Sequence, residues 1–148
     1  SAINKSTVEK KVDVDEVASL LNKDKIIALY QGRSEFGPRA LGNRSLLYNP
    51  KDPLAKDKIN GIKKREWFRP YAGTVLYEEK DEWFDFYGKE ETKYMSYAVK
   101  IKDSKTRIIP GVNHIDNTCR VQTLKQIENP HFYNLIQEFK KVSNIPVN

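Results

Sequence analysis

Five of the seven arginines in this 148-residue chain fall between positions 33 and 69, and they fall in two groups. The first is Arg33, Arg39 and Arg44, set among Gly32, Gly37, Pro38 and Gly42 directly after the apolar run "KIIALY". The second is "KKREWFRP", in which Lys63, Arg65 and Arg69 surround Trp67 and Phe68. A guanidinium is a permanently charged planar fork that matches phosphate or carboxylate oxygens in pairs. Glycines let a loop turn tightly and a proline stiffens it, so cations in such a loop are aimed at less entropic cost. The chemistry these residues suit is capture of a phosphorylated or otherwise anionic ligand.

Two familiar phosphate motifs do not fit. Gly37 to Gly42 satisfies the glycine spacing of a Walker loop, but Asn43 and Arg44 stand where Lys and Ser or Thr are required. The segment that follows, "SLLY", also reads as extended rather than as the opening of a helix. No G-x-G-x-x-G occurs. A third segment, "NHIDNTCRVQT", offers His114, Asp116 and Cys119, but one His and one Cys lack the spacing of a recognised metal site, so no metal ligands are assigned. Arg120, in a strand-like setting with Gln122 and Thr123, suits ligand contact better. Neither a Ser-His-Asp order nor a carboxylate pair supports nucleophilic hydrolysis.

These residues need a scaffold. Asp13 with Glu16 reads as a capping box opening a short helix through Val14, Val17, Ala18 and Leu21, after a loose segment over 1–12. Residues 25–30 and 44–48 read as strands on either side of the arginine loop. Asp52 and Pro53 suit the cap and first position of a helix over about 54–65. Trp67 and Phe68 are expected to anchor that helix end in the core. Residues 73–77 and 93–101 read as strands, and 78–91 as an acidic surface excursion held by Trp83, Phe84, Phe86 and Tyr87. "RIIPGV" and "CRVQTL" suggest two further strands. Asn129 and Pro130 open a helix whose Phe132, Leu135, Ile136, Phe139 and Val142 keep one apolar face, and 145–147 begin another strand. The fold class is therefore α+β, with strands outnumbering helices.

Composition narrows the function classes. Apolar content of 39% with 11% aromatic suits one globular domain, and no stretch approaches a membrane helix or a signal peptide. One cysteine gives no internal disulfide, and a cytoplasmic protein is the default expectation. Residues 33–69 hold ten Lys and Arg against four acids, a surplus of 10 − 4 = +6, while the rest of the chain balances at 16 − 16 = 0. An anionic partner follows, with a small phosphorylated ligand favoured and nucleic acid the rival.

The ordered motifs "GRSEFGPRALGNRSLL", "KDKINGIKKREWFRPYAG" and "HIDNTCRVQT" resemble the C-terminal domain of the O-carbamoyltransferases, over about residues 13–148. That family includes enzymes of nodulation-factor, cephamycin and aminoglycoside biosynthesis. The resemblance implies a YrdC-like fold, a twisted and largely antiparallel open-barrel sheet flanked by helices. It implies that carbamoyl phosphate and ATP, with Mg²⁺ accompanying the nucleotide, form carbamoyl adenylate. A separate N-terminal transferase domain, which carries a metal, is implied to pass the carbamoyl group to a hydroxyl acceptor. Arg33, Arg39 and Arg44 are implied to form the anion loop, Lys58, Lys63, Arg65 and Arg69 the phosphate side, and Thr118 and Arg120 the far wall. Arg33, Arg44, Lys58 and Arg65 are the catalytic candidates, and His114 matches a motif histidine of the family. The sequence departs from the family in lacking the N-terminal domain and the "NTSFN"-type motif, and is expected to be an excised domain.

Overall fold

The computed structural model describes residues 13–33, 37 and 39–148. The loose segment expected over 1–12 and the stiffening role expected of Pro38 lie outside the described residues. In chain order the elements are α1 (Val14–Asn22), β1 (Ile27–Tyr30), β2 (Arg44–Leu47), α2 (Ala55–Ile62), β3 (Gly73–Leu76) and α3 (Lys80–Trp83). β4 (Phe84–Asp85), β5 (Ala98–Ile101), β6 (Thr118–Leu124) and α4 (Pro130–Ser143) follow. The fold is α+β, with no closed barrel.

β1 and β2 form an antiparallel hairpin, with Tyr30 opposite Arg44 at the end next to the connecting loop. The second sheet has the order β3-β6-β5-β4, parallel between β3 and β6 and antiparallel elsewhere. Residues 145–148 extend it: Thr74 and Asn148 exchange backbone hydrogen bonds of 2.6 and 2.9 Å, and Val147 bridges Val75. β3 is buried along its whole length, which is why "GTVL" carries no polar alternation. α1 lies along α4, and Ala18, Leu21, Phe132, Leu135, Ile136 and Phe139 join Val75, Val121 and Leu124 in the main core. A satellite cluster of Tyr48, Ala55 and Ile59 seats α2 against the hairpin.

α4 begins as its sequence dictates. The Asn129 side chain accepts from the Phe132 amide at 3.1 Å, and Pro130 occupies the first turn, where a missing N–H costs nothing. Its Val142 lies at the margin of the apolar face and is exposed. Trp83, Phe84 and Phe86 are buried anchors of the acidic excursion, whereas Tyr87 is exposed.

Four expectations are corrected. Asp13 makes no side-chain cap to α1, so the capping box is not formed. α2 starts at Ala55 rather than at Pro53. The Asp52 carboxylate instead bonds the Leu54 amide at 2.9 Å, the Tyr48 hydroxyl at 2.6 Å and the Lys58 ammonium at 2.6 Å. The strand expected over 93–101 is confined to β5, because Met95 turns the chain with φ of 55° and bonds back to the Thr92 carbonyl. "RIIPGV" is no strand but a single 3-10 turn over Pro110–Val112. Pro110 has no N–H to pair, and Gly111 packs so closely on the Pro50 and Asp52 carbonyls that a side chain would collide with them.

Candidate functional site

The connection between β1 and β2 is fastened at both ends. Gln31 Nε2 donates to the Gly42 carbonyl and to Asn129 Oδ1, each at 3.0 Å, and Asn129 Nδ2 donates to Asn43 Oδ1 at 3.1 Å. The residue that caps α4 thus also ties the arginine loop to that helix. Gly42 has φ of 92° and lies against the Phe132 ring, where any Cβ would overlap it. Glycine is required there by both space and backbone conformation.

Arg44 closes the hairpin. Its Nη1 donates to the Gln31 and Asn43 carbonyls at 2.6 and 2.8 Å, and Nη2 to the Gly32 carbonyl at 3.1 Å. Its Cζ lies 3.6 Å from the centroid of the Tyr30 ring. Three of its five N–H groups are thereby committed to backbone. The guanidinium clamps the neck of the loop that presents Arg39.

The second cluster is organised by Asn60, which sequence reasoning passed over. Its side chain is buried, and Nδ2 donates to the Trp67 and Arg69 carbonyls at 3.1 and 3.0 Å. Its Oδ1 accepts from Arg65 Nε at 2.6 Å. A polar residue beside Ile59 in the buried part of a short helix was the available signal, since asparagine has poor helix propensity and needs a buried partner. Trp67 and Phe68 do not anchor the helix end. They are 74% and 63% exposed and pack edge to face on one another, because Asn60 fixes the loop through its backbone instead.

Around these elements the structure forms a cavity of about 300 Å³ lined by Arg39, Arg44, Lys63, Arg65 and Arg120, with Ser45, Tyr71 and Met95 completing its walls. The five cations come from the hairpin loop, the start of β2, the loop after α2 and strand β6. Among the described residues no acid lines it, and none makes an ion pair with Arg39, Lys63, Arg65 or Arg120. Partial desolvation of the Lys63 ammonium and the neighbouring Arg65 guanidinium hold Lys63 below its ordinary pKa. Two wall residues, Leu41 and Met95, and Lys64 between the two lining cations, take left-handed φ of 45°, 55° and 47°. Such strain in non-glycine residues collects where a site is over-determined by its surroundings.

The remaining candidates lie elsewhere. Arg33 is exposed and lines neither this cavity nor its neighbour. Lys58 is held by Asp52 and Tyr48, both at short hydrogen-bond distance, and its pKa is raised by those bonds. Arg69 pairs with Glu66 at 2.6 Å on the surface. His114 lines a second cavity of about 450 Å³ that shares Pro70 and Tyr71 with the first. Burial lowers its pKa, against the pull of the Tyr71 backbone and the Asp116 carboxylate. Thr118 supports that loop: its hydroxyl bonds Asp116 at 2.7 Å and lies 3.2 Å from His114 Nδ1. Cys119 is buried, and burial pushes its thiol up to about 12.

The described residues thus form an α+β domain with a cationic cavity that no described acid lines. Comparison with known proteins gives that class a family. The sequence profile described as carbamoyltransferase C-terminus matches residues 18–148, so the chain belongs to the carbamoyltransferase C-terminal family. It is 43% identical over 127 residues to an uncharacterized protein of Methanocaldococcus jannaschii, covering 85% of this chain and 20% of that protein. It is 42% identical over 124 residues to the nodulation protein NolNO of Sinorhizobium fredii, covering 82% of this chain and 18% of the relative. To the 3'-hydroxymethylcephem-O-carbamoyltransferase of Amycolatopsis lactamdurans it is 38% identical over 127 residues, 84% of this chain and 23% of that enzyme. The chain spans a quarter or less of the length of these relatives. No helix among the described residues is long and apolar enough to cross a membrane.

Proposed function

We propose that this domain is the part of an O-carbamoyltransferase that binds carbamoyl phosphate and ATP and forms carbamoyl adenylate, for transfer by an N-terminal domain to a hydroxyl acceptor. The observation that carries the reading is the cavity in which five cations converge, with no carboxylate among the described residues that line it. Like charges gathered in one hollow repel, and the arrangement is stabilised when a polyanion enters.

The chemistry makes matching demands. Atom balance requires that carbamoyl phosphate lose phosphate to water, leaving carbamate. A carbamate oxygen then bonds the α-phosphorus of ATP as the α–β bridge breaks and pyrophosphate departs. Bringing two phosphorylated molecules together needs fixed positive charge, and so does the pyrophosphate as it leaves. Arg65 and Arg120 face the cavity from opposite segments and suit the phosphate chain, with Arg39 and Lys63 beside them. Arg44 serves chiefly by holding the loop. The described residues of the cavity offer no carboxylate to hold Mg²⁺, and the ion would enter with ATP, coordinated by its phosphates.

Titration of the chain with ATP and with pyrophosphate, followed calorimetrically, tests the reading. Each of Arg65→Ala and Arg120→Ala removes a charge-assisted contact of about 1.5–3 kcal/mol, and so weakens binding roughly tenfold to a hundredfold. Saturable affinity unchanged in both variants would remove the cavity from the function. Absence of ATP binding together with salt-sensitive RNA binding would favour a nucleic-acid module instead.

A further inference from the structure

We infer that Asn60 is a positioning residue that acts as a neutral tether, fixing the Arg65 guanidinium in the cationic cavity without cancelling its charge. The inference rests on the anion site proposed above and deepens it.

The geometry is specific. Asn60 Oδ1 takes the Nε–H of Arg65 at 2.6 Å, which fixes the plane of the guanidinium. The four N–H groups on Nη1 and Nη2 make no hydrogen bond within the described residues and remain for a ligand. The other half of the amide donates to the carbonyls of Trp67 and Arg69, so one buried side chain sets both the loop and the cation it carries. The same loop shows the alternative. Arg69, four residues on, is held by the Glu66 carboxylate at 2.6 Å, neutralised, and lines no part of the cavity. A carboxylate at position 60 would also accept from Arg65 Nε, but it would give up the donations to the Trp67 and Arg69 carbonyls and would occupy the guanidinium electrostatically, since a guanidinium–carboxylate pair satisfies the charge that the anion must meet. An amide supplies the acceptor and leaves the charge.

A purely structural role predicts that loss of binding tracks loss of stability in both Asn60 variants, whereas a neutral tether predicts that Asn60→Asp loses more binding than its stability accounts for. Asn60→Ala loses every bond but leaves Arg65 charged. Asn60→Asp keeps the acceptor for Arg65, loses both donations to the Trp67 and Arg69 carbonyls, and adds a negative charge. Pyrophosphate binding at pH 7 is measured for both, with Arg65→Ala as reference and thermal transitions as the check on folding. The tether predicts that Asn60→Asp weakens binding by about a hundredfold, close to Arg65→Ala, and Asn60→Ala by only about tenfold. The deficit of Asn60→Asp relative to the parent chain at the same pH then shrinks as the pH falls far enough to protonate the new carboxylate. Asn60→Ala binding as weakly as Asn60→Asp, or more weakly, overturns the inference while leaving the site intact. Undiminished binding by Arg65→Ala overturns the site and the tether together. Should both Asn60 variants fail to fold, Arg65→Lys decides: it keeps the charge but loses the fixed plane, and a roughly tenfold loss is expected. Affinity equal to that of the parent chain would end the proposal.

Discussion

Replacing Arg44 by alanine separates a structural arginine from a ligand-binding one. The side chain makes two partly buried bonds to the Gln31 and Asn43 carbonyls, at 2.6 and 2.8 Å, and a more exposed one to the Gly32 carbonyl at 3.1 Å. Hydrogen bonds from charged donors contribute about 1.5–3 kcal/mol each where water is excluded, and the lower end applies at a half-open hairpin neck. The stack on Tyr30 is solvent-facing, since that ring is 79% exposed, and adds about 0.5 kcal/mol. With the exposed bond counted as nothing, the total is about 3.5 kcal/mol. At roughly 2–4 °C per kcal/mol for a chain of this size, Arg44→Ala should melt about 7–14 °C below the parent. Circular dichroism melts and a urea titration with unchanged slope would both report it. Arg44→Lys should recover less than half, because an ammonium cannot reproduce the planar fork that reaches three carbonyls. Arg65→Ala, by contrast, should weaken anion binding far more than it lowers the melting point. The refuting result is an Arg44→Ala variant that melts within about 2 °C of the parent while losing as much affinity as Arg65→Ala. Arg44 would then be a ligand arm and its backbone bonds incidental.

Two other outcomes follow from the geometry. Gly42→Ala places a methyl group against the Phe132 ring and forces a left-handed φ on a residue with a Cβ. Strain and overpacking together should cost about 3 kcal/mol or more, read as a lowered urea midpoint, and a loss below about 1 kcal/mol would mean that the loop seats differently on α4. Burial works to raise the Asp52 pKa, but hydrogen bonds from Lys58 and Tyr48 outweigh it and hold the carboxyl below its ordinary value of 3.8. Because the folded value is the lower one, Asp52 contributes its stability above 3.8 and loses it as pH falls through the folded value. The substitution Asp52→Asn should flatten that part of the acid-unfolding curve; an unchanged slope would show that the pair contributes nothing there.

Much of the scaffold was legible because its signals are local. α4 has its cap, its proline and its 3.6-residue apolar period within a single short segment, and each of these acts through near neighbours. β2 and β6 are short runs whose ends are marked by turn residues. The cationic character of the site was equally open to inspection, since charge is a property of residue type. Arg39, Lys63, Arg65 and Arg120 stand out from sequence and motif, and they meet in space. The failures share a cause. Trp67 and Phe68 belong in a core by size, but their loop is pinned through its carbonyls by Asn60, so their rings are left outside. "RIIPGV" has strand residues, but the backbone of Pro50 and Asp52, from a distant part of the chain, occupies the space a ladder would need.

The amino-acid sequence alone determined the α+β class, the family motifs and the concentration of positive charge between residues 33 and 69, because composition and short-range spacing suffice for each. Only the tertiary structure decided how that charge is divided. Arg44 is spent on carbonyls, Lys58 on Asp52 and Arg69 on Glu66, while Arg39, Lys63, Arg65 and Arg120 face one cavity. The physical reason is range: a side chain's charge is written in its residue type, but whether a carboxylate or a carbonyl lies within about 3 Å of it depends on which distant segments the fold brings together.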